Sequence, residues 1–128
     1  MDPEKIGRYE ILRPLAKGGM GTTWLARDPE LDRVVVIKGL RAEAVATPVA
    51  RERLLREARV LAGLDHPNIV HVYDLVERDG QWFICMQQAQ GRTLRELLRD
   101  GPLPLAQIHR IAMGVASALM AAHDAGVI

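Results

Sequence analysis

The sequence has 128 residues, of which 48% are hydrophobic and 26% are charged, with a formal net charge of +1. These values are typical of one globular domain, and the small net charge argues against a nucleic-acid surface, which would need a strongly basic face. The single cysteine, Cys85, excludes an intrachain disulfide framework and favours a reducing compartment.

Targeting, membrane and metal signals are absent from the sequence pattern. The first eight residues are polar and contain Pro3, so no secretory signal is expected. The longest candidate for a membrane span, 111–122, falls short of the roughly 18 apolar residues required. The four histidines share no ligand spacing, so we expect no metal site. We therefore expect a cytoplasmic protein with no membrane and no nucleic-acid partner.

The chain opens with three predicted strands that form a meander, over 9–15, 22–27 and 34–40. Between the first two lies a glycine-rich turn, in which Gly18, Gly19 and Gly21 allow backbone N–H groups to approach an anion such as phosphate. A strand follows the turn, which excludes the dinucleotide and Walker-type loops because both continue into a helix. An ordinary hairpin remains the alternative interpretation.

The third strand places an apolar platform beside a single cation. Its period of two puts Val34, Val36 and Lys38 on one face. Such a face suits a ligand with a flat base at one end and a charged tail at the other.

A helix is predicted from about Pro48 to Gly63, with Thr47 as its cap. Glu57 lies on or beside the apolar stripe of this helix, where a carboxylate loses solvation and needs a cation. Lys38 is the best candidate for that cation. The alternative is an exposed glutamate that pairs with Arg53 or with solvent.

The second half of the chain changes from strand to helix. Two further strands are predicted over 69–77 and 82–87, which gives an α+β unit with a five-stranded antiparallel sheet and one main helix. A capping box at Thr93 begins a short helix. A longer helix, 104–125, has more apolar positions than the sheet unit can cover, so we expect it to pack against a copy of itself or another partner.

Four short motifs carry a family resemblance. GGMG at 18–21, VVIK at 35–38, REA at 56–58 and HPNIV at 66–70 resemble the small lobe of a protein kinase, most closely the bacterial Ser/Thr type. The resemblance implies a small lobe over 1–90, followed over 91–128 by two helices that open an incomplete large lobe.

The resemblance also implies ATP as the ligand. Lys38 would hold the α and β phosphates and pair with Glu57, the glycine-rich turn would cover the phosphates, and Met86 would close the back of the adenine pocket. Without the resemblance, Met86 would be interpreted as a core residue. The implied catalytic residues are Lys38 and Glu57. The implied ATP-binding residues are Leu15, Ala16, Lys17, Gly18, Gly19, Met20, Gly21, Thr23, Val36, Lys38, Met86, Gln87 and Ala89.

The sequence departs from the family pattern in two ways. Ala16, Thr23 and Val36 replace residues that are usual around the nucleotide, and Val36 adds bulk to a wall that normally touches the base. His-Arg-Asp and Asp-Phe-Gly do not occur by Ile128, so we expect no catalysis by these residues alone and magnesium only in a complete kinase domain.

Two functions are therefore open at this point. The chain is either the ATP-binding part of a bacterial-type Ser/Thr kinase or a truncated, pseudokinase-like module that acts by protein binding. A reading frame that continues after Ile128 into the two missing motifs would favour the kinase.

Overall fold

The structure, a computed structural model, describes residues 2–18 and 21–128. It confirms the α+β class, with a sheet of six antiparallel strands in the order β1-β2-β3-β4-β6-β5. The strands are β1 Lys5–Ile6, β2 Tyr9–Gly18, β3 Gly21–Asp28, β4 Arg33–Gly39, β5 Val72–Arg78 and β6 Gln81–Met86. The helices are α1 Pro48–Gly63, α2 Leu94–Arg99 and α3 Leu105–Asp124, and a short 3₁₀ helix covers Ala42–Val45.

The prediction of five strands was wrong by one. The extra strand, β1, pairs Lys5 with Glu10 and Ile6 with Tyr9. Two residues are too few to show a period of two, so no local pattern could reveal this strand. It forms because Ile6 has a place in the core, where it is buried.

The sheet is curled, so that its two ends come together. The core lies on the inner side of this curl. The Tyr9 hydroxyl on β2 donates a hydrogen bond to the Asp74 carboxylate on β5 at 3.0 Å. Gly7 has a φ of +59°, and a Cβ there would lie 3.1 Å from Val76 Cγ1, so glycine permits both the turn and the contact. The buried apolar residues are Ile6, Tyr9, Trp24, Ala26, Val35, Ile37, Phe83 and Cys85.

Burial and hydrogen bonding shift the acid–base behaviour of the core groups. Burial raises the pKa of the Tyr9 phenol and of the Cys85 thiol. Burial alone would also raise the pKa of the fully buried Asp28 carboxyl. The Arg8 guanidinium at 3.1 Å and the backbone N–H groups of Leu31 and Glu30 outweigh that effect, and the pKa of Asp28 is lowered.

Helices α1 and α2 begin where their capping residues predict. The Thr47 side chain accepts a hydrogen bond from the Ala50 N–H at 3.1 Å, with Pro48 in the first turn of α1. Thr93 and Glu96 form the predicted capping box of α2. The boundary predicted between 1–90 and 91–128 falls within the segment that joins β6 to α2, and it stays a prediction.

Helix α3 is attached to the sheet unit through the loop before β5. The His66 ring lies 2.9 Å from the Ser117 hydroxyl, and the Asn68 side chain donates to the Gly114 carbonyl at 3.2 Å. No residue of α3 is buried; Leu105 is 81% exposed and Met120 is 67% exposed. The described residues therefore leave much of the apolar surface of α3 uncovered.

The same helix corrects the expectation that no segment is long enough to span a membrane. Judged only by its length of 20 residues and its composition, α3 could cross a membrane. The uninterrupted apolar run covers only 111–122, whereas the helix is continuous over eight further residues. Core helices of larger domains have the same length and composition, so this property by itself does not assign α3 to a membrane.

Candidate functional site

The half-exposed face of β3, β4 and β6, the open face, carries the candidate site. Trp24, Ala26, Val35 and Ile37 are buried, so the residues that alternate with them lie on the opposite face. Val34, Val36 and Lys38 share that face, in agreement with the prediction from the period of β4.

Two cross-strand rows give this face its chemistry, because directly opposite residues of antiparallel strands share a face. In the apolar row, Val36 lies opposite Leu25 on one side and Met86 on the other. In the second row, Lys38 lies opposite Thr23 and Ile84. Ala16 extends the second row because it lies opposite Thr23. Five of the predicted ATP-binding residues are thus brought together: Ala16, Thr23, Val36, Lys38 and Met86.

Leu25 and Ile84 also belong to this face, although neither is among the predicted site residues. Leu25 alternates with the predicted Thr23, and Ile84 alternates with the predicted Met86. Strand period alone could therefore have found both residues.

The glycine-rich turn closes at the edge of this face. Gly18 pairs with Gly21 at the ends of β2 and β3, and the predicted site residues Gly19 and Met20 lie outside the described part of the chain. Gly21 has a φ of +106°, and a Cβ there would lie 2.7 Å from the Gly39 carbonyl oxygen. Only glycine fits at this position, because any side chain would collide with the backbone of β4.

One predicted residue beside the turn, Lys17, lies away from the open face, and the register does not assign a face to another, Leu15. Lys17 is opposite Thr22, which shares the core side of β3 with Trp24. Its ammonium lies 3.6 Å from the Asp2 carboxylate, on that side of the sheet. Leu15 is 41% exposed and falls at an irregularity in the β2–β3 register. The Lys17 side chain therefore contributes no charge to the open face in this structure.

The predicted ion pair between Lys38 and Glu57 is not formed. The Glu57 carboxylate accepts a hydrogen bond from Arg53 Nε at 3.1 Å, one helical turn away. This is the alternative that the sequence left open. Lys38 makes no ion pair within residues 2–18 and 21–128.

The position of α1 gives the physical reason. The helix has no buried residue, and its main contacts are with β5 and the 3₁₀ helix. Glu57 lines a cavity of about 450 Å³ that also includes Arg56 and Ile128. The Glu57 side chain is 46% exposed. Its carboxylate therefore keeps much of its solvation, and a neighbouring arginine of its own helix is enough to pair it.

The segment after β6 offers the right groups for the edge of a purine base. The Gln87 N–H donates to the His71 carbonyl at 2.8 Å, and the Gln87 side chain accepts from the His71 N–H at 3.1 Å. The Gln87 carbonyl and the Ala89 N–H make no hydrogen bond within the described residues. One acceptor and one donor, two residues apart, are therefore available to a ligand.

The donor set of the open face fits ATP. An apolar row, two available backbone groups and an ammonium that has no carboxylate partner among residues 2–18 and 21–128 match a base, the edge of a purine and a phosphate chain. Among residues 2–18 and 21–128, no group of three metal-ligating side chains lies close enough to hold a metal ion.

Comparisons with known proteins agree with this geometry. The sequence matches the family model described as the protein kinase domain over residues 9–128. The serine/threonine-protein kinase PrkC of Bacillus subtilis is 42% identical over 119 residues, which cover 92% of this chain and 18% of PrkC. The serine/threonine-protein kinase PknJ of Mycobacterium tuberculosis is 43% identical over 120 residues, which cover 94% of this chain and 20% of PknJ.

A solved structure shows the same fold. The kinase domain of Mycobacterium tuberculosis PknI superposes with a TM-score of 0.84 at 32% sequence identity. The superposition covers 95% of this chain and 50% of that domain. The chain therefore spans about a fifth of the curated relatives it matches and half of the solved kinase domain.

Proposed function

Because this chain belongs to the protein kinase domain family, we propose that its sheet and glycine-rich turn form the ATP-binding part of a bacterial-type Ser/Thr kinase. The observation that carries the proposal is the Lys38 ammonium, which has no carboxylate partner in the described residues and stands beside the apolar row of Leu25, Val36 and Met86. A cation next to an apolar platform binds the charged and the flat parts of a nucleotide together.

Each part of the site has one task in this proposal. The apolar row holds the adenine ring, the Gln87 carbonyl accepts a hydrogen bond from it, and the Ala89 N–H donates one. Lys38 binds the α and β phosphates, and the glycine-rich turn covers them with backbone N–H groups. ATP supplies the phosphoryl group when it is bound.

We propose that the Lys38–Glu57 pair forms when α1 moves towards β4. The pair that it replaces is weak, because Arg53 is 78% exposed and Glu57 is 46% exposed at the side chain. Exposed helical pairs of this spacing contribute about 0.3 to 0.5 kcal/mol. We propose that α1 turns inward when the rest of a kinase domain packs against it, and that Glu57 then exchanges Arg53 for Lys38.

Phosphoryl transfer to protein serine and threonine is proposed for the complete domain, in the cytoplasm where ATP and reduced thiols such as Cys85 occur together. The described residues contain no cluster of three metal-ligating side chains, and the 128 residues do not include the His-Arg-Asp motif that carries the base. The 128-residue chain by itself is therefore proposed to bind nucleotide without transferring phosphate, and magnesium is proposed to act only in the complete domain.

Titration calorimetry with ATP tests the proposed site. Lys38→Met should weaken binding by roughly 10- to 150-fold, because a charge-assisted contact to phosphate is lost. Lys5→Met is the matched control, since Lys5 is an exposed lysine on β1 whose ammonium has no partner among the described residues. Equal ATP affinity in the two variants would disprove the assignment of Lys38.

A second candidate function, a module that acts by protein binding, is favoured by the exposed apolar surface of α3. We propose that α3 packs against a second copy of this chain or another polypeptide, because fully burying each large apolar side chain contributes about 1.5 to 3 kcal/mol. Light scattering at micromolar concentration should show a dimer or larger species. A monomer whose α3 resists proteases would contradict this second function.

A further inference from the structure

We propose that residues 2–6 form an N-terminal strap that braces the two strands flanking the glycine-rich turn, with Asp2 as the positioning residue. Residues 5–6 of the strap form β1 at the edge of the sheet, and Asp2 contacts the buried Trp24 on the core side, opposite the open face. Its effect on ATP binding rests on the function proposed above, whereas its effect on the turn itself does not.

The far end of the N-terminal strap is fixed to the core. Ile6 is 1% exposed, and the Ile11 N–H donates to the Glu4 carbonyl at 2.9 Å. The Arg78 guanidinium on β5 donates to the Lys5 carbonyl. Backbone pairing, a buried side chain and a contact to the opposite end of the sheet together hold residues 4–6 in place.

The near end of the N-terminal strap joins β2 to β3 through one carboxylate oxygen. Asp2 Oδ1 accepts a hydrogen bond from the Trp24 Nε1–H at 3.0 Å and lies 3.6 Å from Lys17 Nζ. Trp24 is 7% exposed, and its ring centroid lies 6.1 Å from that of Phe83 in the core. Lys17 is next to the turn on β2, so Asp2 connects the strand entering the turn with a rigid core residue on the strand leaving it.

The acid–base state of Asp2 agrees with this role. The hydrogen bond from Trp24, followed by the charge of Lys17, lowers the pKa of the Asp2 carboxyl despite some desolvation. The carboxylate is therefore ionised at neutral pH, and both of its contacts are charge-assisted.

The strands next to the turn need such a brace. The β2–β3 register is irregular between Pro14 and Ala16, and Pro14 has no N–H to donate to the ladder. Gly18 and Gly21 add backbone freedom at the end of the hairpin. By holding Lys17 and Trp24 together, Asp2 limits the separation of the two strands and keeps the Lys17 ammonium away from the face that carries Lys38.

Hydrogen exchange on the 128-residue protein tests the strap directly. Asp2→Ala removes both contacts and should accelerate exchange of the amides at 15–18 and 21–25 by roughly 5- to 30-fold. Asp2→Asn keeps an oxygen that accepts from Trp24, and Lys17→Met removes only the ion pair. Each of these variants should accelerate amide exchange less than Asp2→Ala does. For Lys17→Met we expect an acceleration of about 1.5- to 5-fold.

Glu4→Ala is the matched control, because it removes an acidic side chain from the same strap. The Glu4 carboxylate has no ion pair or hydrogen bond within residues 2–18 and 21–128, so exchange near the turn should stay at the wild-type rate. Equal exchange in Asp2→Ala and Glu4→Ala would overturn the proposal. Equal acceleration over β4 and β6 would also overturn it, because the effect would then be global.

Titration with ATP completes the test. A looser turn must be ordered when phosphate binds, so Asp2→Ala should lower ATP affinity by roughly 2- to 10-fold relative to Glu4→Ala. Faster exchange with unchanged affinity would overturn the positioning role and leave Asp2 as a structural brace. If the wild-type protein bound no ATP, the proposed function would fail, while the exchange rates would still decide whether the strap exists.

Discussion

Replacing Val36 by alanine should tighten ATP binding. Val36 lies at the centre of the apolar row, directly opposite Leu25 and Met86, so its two methyl groups project where the adenine ring is proposed to lie. The methyl groups stand on a half-exposed face, and their removal therefore leaves no cavity in the core formed by Val35 and Ile37.

The size of the effect follows from the cost of overpacking. Extra methyl groups in a closely packed contact cost about 1 to 3 kcal/mol. If alanine relieves that cost in the complex, ATP affinity rises by roughly 5-fold to 150-fold. The stability of the free protein should change little, since Val36 is not part of the buried core.

Titration calorimetry on the wild type and two variants is the assay. Val34→Ala is the matched control, because Val34 lies on the same face of β4, is 43% exposed and pairs with Arg27 outside the Met86 row. We expect Val36→Ala to bind ATP more tightly and Val34→Ala to match the wild type. Unchanged binding in Val36→Ala would mean that the site already accommodates valine, and weaker binding would mean that valine contacts the base favourably.

Three further predictions follow from the same structure. The 128-residue protein should not phosphorylate a generic protein substrate, and ATP-dependent phosphorylation that Lys38→Met abolishes would refute this. Because the pKa of Asp28 is lowered in the folded state, its contribution to stability is present above the unfolded value near 4 and is lost as the pH falls through the folded pKa. Urea unfolding should therefore show Asp28→Asn to be less stable than the wild type at pH 7, with a gap that shrinks on acidification; a gap independent of pH would contradict the assignment. Thr93→Ala should fray α2, since loss of an N-cap costs about 1 kcal/mol, and unchanged amide exchange at Glu96 would argue against that.

The sequence by itself determined the parts that depend on local interactions. Helix α1 begins and ends at the predicted Pro48 and Gly63. Its signals are local, because the cap, the first-turn proline and the apolar stripe all lie within or next to the helix itself. The open face of β4 was also predictable, since a strand's period of two assigns Val36 and Lys38 to one side without reference to any other strand. The order and spacing of the short motifs likewise predicted the protein kinase family, which the comparisons confirm.

Only the tertiary structure decided the features that depend on residues far apart in the chain. Strand β1 exists because Ile6 reaches a core that later strands complete, and Glu57 pairs with Arg53 because the packing of α1 keeps it away from Lys38. The bracing proposed for Asp2 depends on the tertiary structure in the same way, because its hydrogen bond to Trp24 joins residues 22 positions apart. Such contacts leave no periodic signal, because the free energy of each depends on where the whole sheet places its partner.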